Sequence, residues 1–352
     1  MGELRDVVAA LERAPADRAT AVLATLVKVA GSAYSGPGAR MVVLPDDTIA
    51  GTFGAGCFEQ DLVAHAERVR ASGAPAMVRY DLTEDDDKPW GLGMGCHGKL
   101  DLLLEPVAVG KAPEHLAFLR EAARARQAAV VATLFRTGDD PALALGDRLL
   151  VRADGQSAGR LLESLLGAPL RKEARAALAD GRARFCVVPT PQGEAELLLE
   201  YVAPPIALVI GGAGRDTAPL VRLAGELGWE ARVLAKDEVP SGLDDRTAAL
   251  VMSHNYERDL AILAALLASS CRYVGVLGGQ ARTRQLLADL AKRGSAITKA
   301  QLARLYAPVG LDLGAETPSE VALSIVAEIQ AVFAGRQGGA LRERQGPIHD
   351  RP

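Results

Sequence analysis

Apolar and polar positions along the first 200 residues alternate in a way that predicts a mixed α/β domain. AVLATLV, which begins at Ala21, is an almost uninterrupted apolar run of strand length, and FEQDLVAHAERVRASG has apolar residues at helical spacing. That helix is predicted to end at Ser72–Gly73, because glycine is common just beyond a helix C-terminus. Such signals continue as far as Pro204–Pro205, so we predict a first domain over residues 1–203.

The pattern of this first domain occurs twice. AVLATLV returns as AVVATLF 108 residues later, and GARMVV returns as GDRLLV at the same spacing. KLDLLLEPV resembles EAELLLEYV, but at a spacing of only 95 residues. We therefore predict an internal duplication of two similar halves, residues 1–108 and 109–203, each with a helix, strands and a second helix.

The second half lacks two cysteine-containing segments of the first. Cys57 in GTFGAGC corresponds to Leu165 at the 108-residue spacing, and the shorter final spacing removes the region that contains DDDKPWGLGMGCHG. The second half nevertheless keeps the strand and helix signals, so neither segment is needed to build the unit. This contrast makes the two cysteine segments candidates for function.

Cys57 lies where the predicted strand IAGTF turns into the helix FEQDLVAHAERV. Gly54 and Gly56 let a ligand approach the backbone, and the first N–H groups of the helix favour an anion or a thiolate on Cys57 itself. Glu59 in the first turn can carry a proton or accept a hydrogen bond. The alternative interpretation is a small buried cysteine in a tight turn.

Cys96 lies in a second glycine-rich segment, between Gly95 and His97. His97 can polarise the thiol or donate to an anion, although a loop histidine is often simply solvated. The two cysteines and two histidines match no zinc-binding spacing, which disfavours a zinc site. Arg40, at the start of a strand, is a candidate phosphate contact, but Arg148 at the equivalent place in the second half favours a structural role.

From residue 204 onwards, short apolar strands alternate regularly with helices. IALVIG, ARVLA, AALVMS and YVGVLG are the predicted strands. This order predicts a C-terminal Rossmann-like domain with a doubly wound parallel sheet over residues 204–337, followed by a flexible tail at 338–352. T-P-S-E is a capping box that places the start of the last helix at Thr317.

Ligands of such sheets bind beyond the carboxyl ends of the strands. The candidate binding residues there are Gly212, Gly214, Arg215, His254, Gly278 and Gly279. The first glycine turn resembles the start of a dinucleotide-binding segment, but Ala235 and Lys236 lie where an acidic residue would bind a nicotinamide-dinucleotide ribose. The pattern thus favours a phosphate-bearing ligand over NAD(P), and the glycines can also serve as a packing turn.

Composition narrows the class of partner. The 352 residues carry a formal charge of −4, which gives no electrostatic reason for binding nucleic acid or an anionic membrane. No run approaches the ~18 apolar residues of a membrane span, and the N-terminus is unlike a signal peptide. Four cysteines are too few for a disulfide framework. We therefore expect a cytoplasmic protein.

Seven segments together resemble the XdhC/CoxI family, in the order of that family and over almost the whole chain. They are GSAYSGPGARMVV, GTFGAGCFEQDLVAHA, WGLGMGCHGKLDLLLEP, GGAGRDTAPLVRLAGELGW, MSHNYERDLAILAALL, YVGVLGG and RLYAPVGLDLGAETPSEVALSIVAEI. Cys57 falls on the GGC-x-E position of the family and Cys96 on its GCGG-like position. Three residues depart from the family pattern: His97 for glycine, Arg215 for histidine and Ala235 for aspartate.

The resemblance implies an accessory protein of molybdenum enzymes rather than a turnover enzyme. Members bind the molybdenum cofactor, as molybdopterin or its dinucleotide form, and protect it. They assist its sulfuration with a cysteine desulfurase and insert it into an apo-enzyme of the xanthine dehydrogenase or carbon monoxide dehydrogenase type. They are often homodimers. Cys57, with Cys96 as the second candidate, would then be a molybdenum ligand, since thiolates suit that metal.

Two other functions remain open from the residues alone. The glycine turn of the second domain is compatible with an NAD(P)-dependent oxidoreductase in which Cys57 or His254 is catalytic. A helix-terminal cysteine is equally compatible with a thiol-based sulfur carrier that takes a persulfide from a desulfurase.

Overall fold

The computed structural model describes residues 2–15, 20–31, 33–53, 59–81, 98–212, 214–346 and 348, without the side chains of Glu3, Glu59 and Gln60. The chain forms two compact units, Gly2–Pro204 and Pro205–Ile348. Each unit has its own buried cores. None of the helices in the described ranges has the length and apolar character needed to span a bilayer.

The first half of the first unit is built on a five-stranded antiparallel sheet. Its elements are α1 (Gly2–Arg13), β1 (Thr20–Gly31), β2 (Arg40–Val43), β3 (Ile49–Gly51), α2 (Glu59–Ser72), β4 (Ala76–Asp81) and β5 (Gly98–Ala108). The strands lie in the order β3-β2-β1-β5-β4. The long strand β1 is apolar from Ala21 to Val27, apart from the buried Thr25, because both of its faces are covered there, one by α2 and the other by a core shared with the second half.

The second half repeats this arrangement. Its elements are α3 (Glu114–Arg124), β6 (Ala129–Arg136), β7 (Arg148–Arg152), β8 (Ser157–Ala158), a short 3₁₀ helix (Arg160–Glu163), α4 (Gly167–Asp180), β9 (Arg184–Pro189) and β10 (Glu194–Val202). The strand order β8-β7-β6-β10-β9 matches that of the first sheet position by position. The predicted α/β domain of two similar halves is confirmed.

Equivalent residues of the two halves make the same backbone contacts. The N–H of Gly38 donates to the carbonyl oxygen of Leu26 at 2.8 Å, and the N–H of Gly146 donates to the carbonyl oxygen of Leu134 at 2.9 Å. Gly51 has a φ of 86°, and a Cβ atom there would lie 2.5 Å from the carbonyl oxygen of Arg40. A side chain at this position would therefore clash with the neighbouring strand.

Helices α1 and α3 lie in one shared core between the halves. The buried positions Val7, Val8 and Leu11 of α1 have the same spacing as His115, Leu116 and Leu119 of α3, all 108 residues apart. The pair of helices is also joined across the chain, because the Arg120 guanidinium bonds Glu12 at 2.6 Å. These two residues are likewise 108 positions apart, as expected for contacts near an approximate two-fold axis.

The second unit is a doubly wound parallel sheet with helices on both faces. Its elements are β11 (Ala207–Gly211), α5 (Thr217–Glu226), β12 (Glu230–Val233), β13 (Thr247–Val251), α6 (Tyr256–Ala268), β14 (Tyr273–Val276), α7 (Gln280–Lys292), α8 (Lys299–Leu302), β15 (Leu305–Tyr306), α9 (Pro318–Phe333) and a 3₁₀ turn (Leu341–Glu343). The strand order β12-β11-β13-β14-β15 confirms the predicted Rossmann-like sheet. It also places a switch point between β11 and β13.

The last long helix begins as the sequence predicts. The Thr317 hydroxyl accepts from the N–H of Glu320, and the Glu320 carboxylate accepts from the N–H of Thr317 at 2.8 Å. The pKa of Glu320 is lowered, first by its bond with the Thr317 backbone. The predicted capping box is confirmed.

Candidate functional site

Most of the predicted cysteine site lies outside the described residues. This applies to Gly54, Gly56, Cys57, Gly95, Cys96 and His97. The described chain does fix what flanks Cys57: β3 ends at Gly51, and α2 begins at Glu59. Cys57 therefore belongs to a connection between an edge strand and the N-terminus of a 14-residue helix.

Arg40, a candidate phosphate contact, is buried and has a carboxylate partner. Its Nη1 donates to Glu200 Oε1 at 3.0 Å and to the carbonyl of Gly38 at 2.8 Å, and its Nη2 donates to Glu200 Oε2 at 2.5 Å. Arg40 lies on β2 of the first half and Glu200 on β10 of the second. The structure thus gives Arg40 a role in joining the halves, as its repetition in the sequence suggests.

A second ion pair of the same design lies on the other side of the approximate axis. The Arg148 guanidinium bonds both carboxylate oxygens of Glu105 and the carbonyl of Gly146. Each half therefore supplies one arginine and one glutamate, and each arginine reaches the glutamate of the other half. Two crossed pairs fix the halves against each other more specifically than apolar contact alone does.

His115 of α3 is buried within reach of both arginines. Burial, and then the positive charges of Arg148 and Arg40, hold the pKa of His115 well below its usual value. The imidazole is therefore neutral over the physiological range. Its Nε2 atom is buried and has no hydrogen-bond partner among the described residues.

The candidate residues of the second unit meet at the carboxyl ends of β11, β13 and β14. Gly212 directly follows β11, and a Cβ atom there would lie 2.9 Å from the side chain and carbonyl of Met252 beyond β13. Gly278 has a φ of 135°, and Gly279 is the N-cap of α7. Arg215 is exposed in the turn before α5, which begins at Thr217.

A histidine–aspartate pair bridges the switch point of this sheet. His254, which follows β13, has a φ of 58°, and its Nε2 lies 3.0 Å from Oδ2 of Asp216. Asp216 is the N-cap residue of α5, although its side chain makes no capping bond. A carboxylate of the protein therefore occupies the helix terminus at which a Rossmann-type domain binds a ligand phosphate.

A second polar cluster supports the loop that carries His254. The buried carboxylate of Asp259 accepts from the Ser253 N–H at 3.0 Å and from the Ser253 hydroxyl at 2.5 Å. Its other oxygen accepts from Arg282 Nη2 at 2.7 Å. Because Asp259 is satisfied on both oxygens, the cluster fixes the position of the loop.

The end of β12, where a nicotinamide dinucleotide would place its ribose, is also occupied. Arg258 donates to the carbonyls of Ala235 and Leu234 at 2.7 and 3.3 Å. The Glu238 carboxylate accepts from the Ala235 N–H at 3.0 Å. This agrees with the absence of an acidic residue at position 235 in the sequence.

We expect the described arrangement to give no measurable affinity for nicotinamide dinucleotides. Asp216 repels the pyrophosphate, and the backbone at Ala235 is already bonded. NAD(H) or NADP(H) at millimolar concentration should leave the thermal unfolding midpoint unchanged, whereas a ligand at 100 times its Kd would add about 2.7 kcal/mol. A saturable upward shift with either dinucleotide would contradict this expectation.

Sequence reasoning missed two residues that the structure brings forward. Asp216 was not predicted because its neighbours, Gly214 and Arg215, indicated a phosphate-binding turn, in which a carboxylate is not expected. His115 was hidden because a single histidine on an apolar helix face is commonly a core residue. The 108-residue spacing offered a signal for it, since the equivalent position is Val7.

Two family descriptions match the chain. The XdhC and CoxI family matches residues 15–81 and again 122–189, which lie one in each half of the first unit. The XdhC Rossmann domain matches residues 208–329, which lie within the second unit. Together these matches cover both units in the order the fold shows.

Individual proteins are similar along most of their length. A protein of Bacillus subtilis (strain 168) named as a probable xanthine dehydrogenase subunit is 27% identical over 336 residues, covering 89% of this chain and 93% of that protein. "Molybdenum cofactor insertion chaperone PaoD" of Escherichia coli (strain K12) is 25% identical over 316 residues, covering 89% and 83%. A crystal structure described as a xanthine dehydrogenase from Bacillus halodurans is 28% identical, with a TM-score of 0.73 over 96% of this chain and 97% of that one. The chain belongs to the XdhC and CoxI family.

Proposed function

We propose that this protein binds the molybdenum cofactor and inserts it into an apo-enzyme of the xanthine dehydrogenase or carbon monoxide dehydrogenase type. The observation that carries the proposal is the similarity, across both units, to a protein named as a molybdenum cofactor insertion chaperone. The cofactor is cargo here, so the protein has to hold it and release it rather than turn it over.

The contrast between the two halves supports a role for the cysteine segments in this binding. The second half builds the same sheet with Leu165 where the first has Cys57. Folding therefore does not explain Cys57. A thiolate beside a helix N-terminus is stabilised by the helix dipole and is a soft ligand for molybdenum or its terminal sulfur. Cys96 and His97 are the proposed second contacts.

We also propose that the protein works as a homodimer with a cysteine desulfurase as its second partner. In this scheme Cys57 stays close to the molybdenum while the desulfurase supplies the terminal sulfur. A persulfide on Cys57 would appear as a one-sulfur mass increase after incubation with the desulfurase. If no such mass increase is found, Cys57 does not carry the sulfur from the desulfurase, whereas the proposal that the protein binds the cofactor is unaffected.

Replacing Cys57 with alanine is expected to lower the molybdopterin content of the purified protein roughly tenfold or more, because losing even a residue that supports a metal ligand costs about 10–100-fold in affinity. The measurement is fluorescence of the oxidised pterin after expression in a host that makes the cofactor. Cys186→Ala is the matched control, because Cys186 lies on β9 and burial raises the pKa of its thiol. Equal content in the wild type and Cys57→Ala, or no cofactor in either, would contradict the proposal.

A further inference from the structure

A cavity of about 300 Å³ lies in the first unit, where the end of β5 meets α3 and β7. Its apolar lining consists of Pro75, Pro106, Pro113, Val107 and Leu150. This volume is at the lower limit of ligand pockets. The cavity therefore suits a ligand of one or two rings rather than a whole cofactor.

His115 lines this cavity and has unused hydrogen-bonding capacity. The residue is 5% exposed, and its Nε2 has no partner among the described residues. A buried polar atom without a partner costs free energy, typically about 1–3 kcal/mol. A bound molecule that makes a hydrogen bond with Nε2 of His115 would remove this cost.

Three cavity residues that carry an imidazole or a charge correspond to residues with neither in the first half. At the 108-residue spacing, His115 corresponds to Val7 and Asp147 to Ala39. Arg160 likewise corresponds to Thr52. All three departures line one cavity.

The backbone does not require Asp147. Its N–H closes a turn on the carbonyl of Ala144 at 3.0 Å, and Ala39 closes the same turn on Gly36 at 3.1 Å. The Asp147 side chain adds a bond from the Ala144 N–H, but the first half makes its turn with alanine. The carboxylate is therefore an addition to the turn rather than a condition for it.

The charges around the cavity favour an uncharged ligand with N–H donors. Glu105 is neutralised by Arg148, and Asp147 faces Arg160 at 3.4 Å. Glu114 leaves one unbalanced negative charge among the lining residues, which disfavours a phosphate or a carboxylate. Arg160 is 69% exposed, so its weak pair with Asp147 leaves the carboxylate able to accept from a ligand.

We propose that this cavity binds the aminopyrimidinone ring of a purine or a pterin. The carboxylate of Asp147 accepts from the ring N–H and the adjacent amino group, His115 bonds a further ring nitrogen or oxygen, and the prolines cover the faces. The proposal does not rest on the insertion function, because it concerns the ring alone in a cavity that contains neither proposed cysteine.

Calorimetric titration of the full-length protein with guanosine and inosine tests this ring recognition, because inosine lacks the amino group. Guanosine should bind, and inosine at least roughly tenfold more weakly, since an unmet buried hydrogen bond costs about that much. Pterin is titrated in parallel. Tighter binding of pterin than guanosine identifies a cofactor ring as the natural source, and the reverse identifies a nucleoside.

The variants Asp147→Ala and His115→Val carry the residues of the first half and are the matched test. Asp147→Ala should remove the preference for guanosine over inosine, and His115→Val should weaken both ligands about tenfold. Cooperative thermal unfolding of each variant confirms that it is folded. No saturable binding of guanosine or pterin at millimolar concentration, or unchanged binding in both folded variants, would overturn the proposal while leaving molybdopterin co-purification untouched.

Discussion

Replacing Arg40 with methionine is expected to lower the free energy of unfolding of the first unit by about 3–5 kcal/mol, the cost of breaking one side of a buried ion pair. Glu200 would remain 13% exposed with no cation against it. Methionine fills similar volume but offers none of the three bonds that Arg40 gives to Glu200 and Gly38. The loss should appear in both halves, since Arg40 and Glu200 lie on different sheets.

Denaturant-dependent hydrogen exchange, resolved by peptide, assigns the change to the first unit. Arg148→Met should cost a similar amount, because it breaks the equivalent pair with Glu105. Lys28→Met is the control: it also removes a bond between the halves, but Glu196 keeps Arg136 as a second cation, so less than about 1 kcal/mol is expected. A cost below about 1 kcal/mol for Arg40→Met would contradict the prediction, because it would show that the Arg40–Glu200 pair adds little to the contact between the halves.

The sequence allowed the fold to be predicted at the level of domains and sheets. Repeated apolar runs predicted two similar halves, and strands alternating with helices predicted the parallel sheet of the second unit; the strand orders confirm both. These successes rest on periodicity, which depends on residues close together in the chain. The capping box at Thr317 succeeded for the same reason, since its two partners are three residues apart.

Contacts between distant residues could not be predicted in this way. Arg40 and Glu200 are 160 residues apart, and neither local sequence pattern indicates that the two side chains meet. The repeat did show that the arginine recurs, but not that the two pairs cross between the halves. Likewise, the bond between His254 and Asp216 depends on two strand ends that become neighbours only when the sheet forms.

The free energy of unfolding of the first unit is expected to fall with decreasing pH below about 6.5, partly through His115. In the unfolded chain this histidine takes up a proton near pH ~6.5. In the folded protein, burial and the charges of Arg148 and Arg40 lower its pKa well below that value. Between the two pKa values the unfolded state binds one more proton, so stability rises with pH by up to about 1.4 kcal/mol per unit in this window.

His115→Val isolates this contribution, because every other titrating group is unchanged. Acids and the remaining histidines give both proteins the same background slope, so the difference between the two curves is the measured quantity. Unfolding of wild type and variant, measured at intervals from about pH 7.5 to about 5, should show the wild type losing about 2 kcal/mol more than the variant. Valine is tolerated at the equivalent Val7, which is fully buried in the same core. Parallel curves would mean that His115 takes up a proton in the folded protein, and would contradict a neutral imidazole between the two arginines.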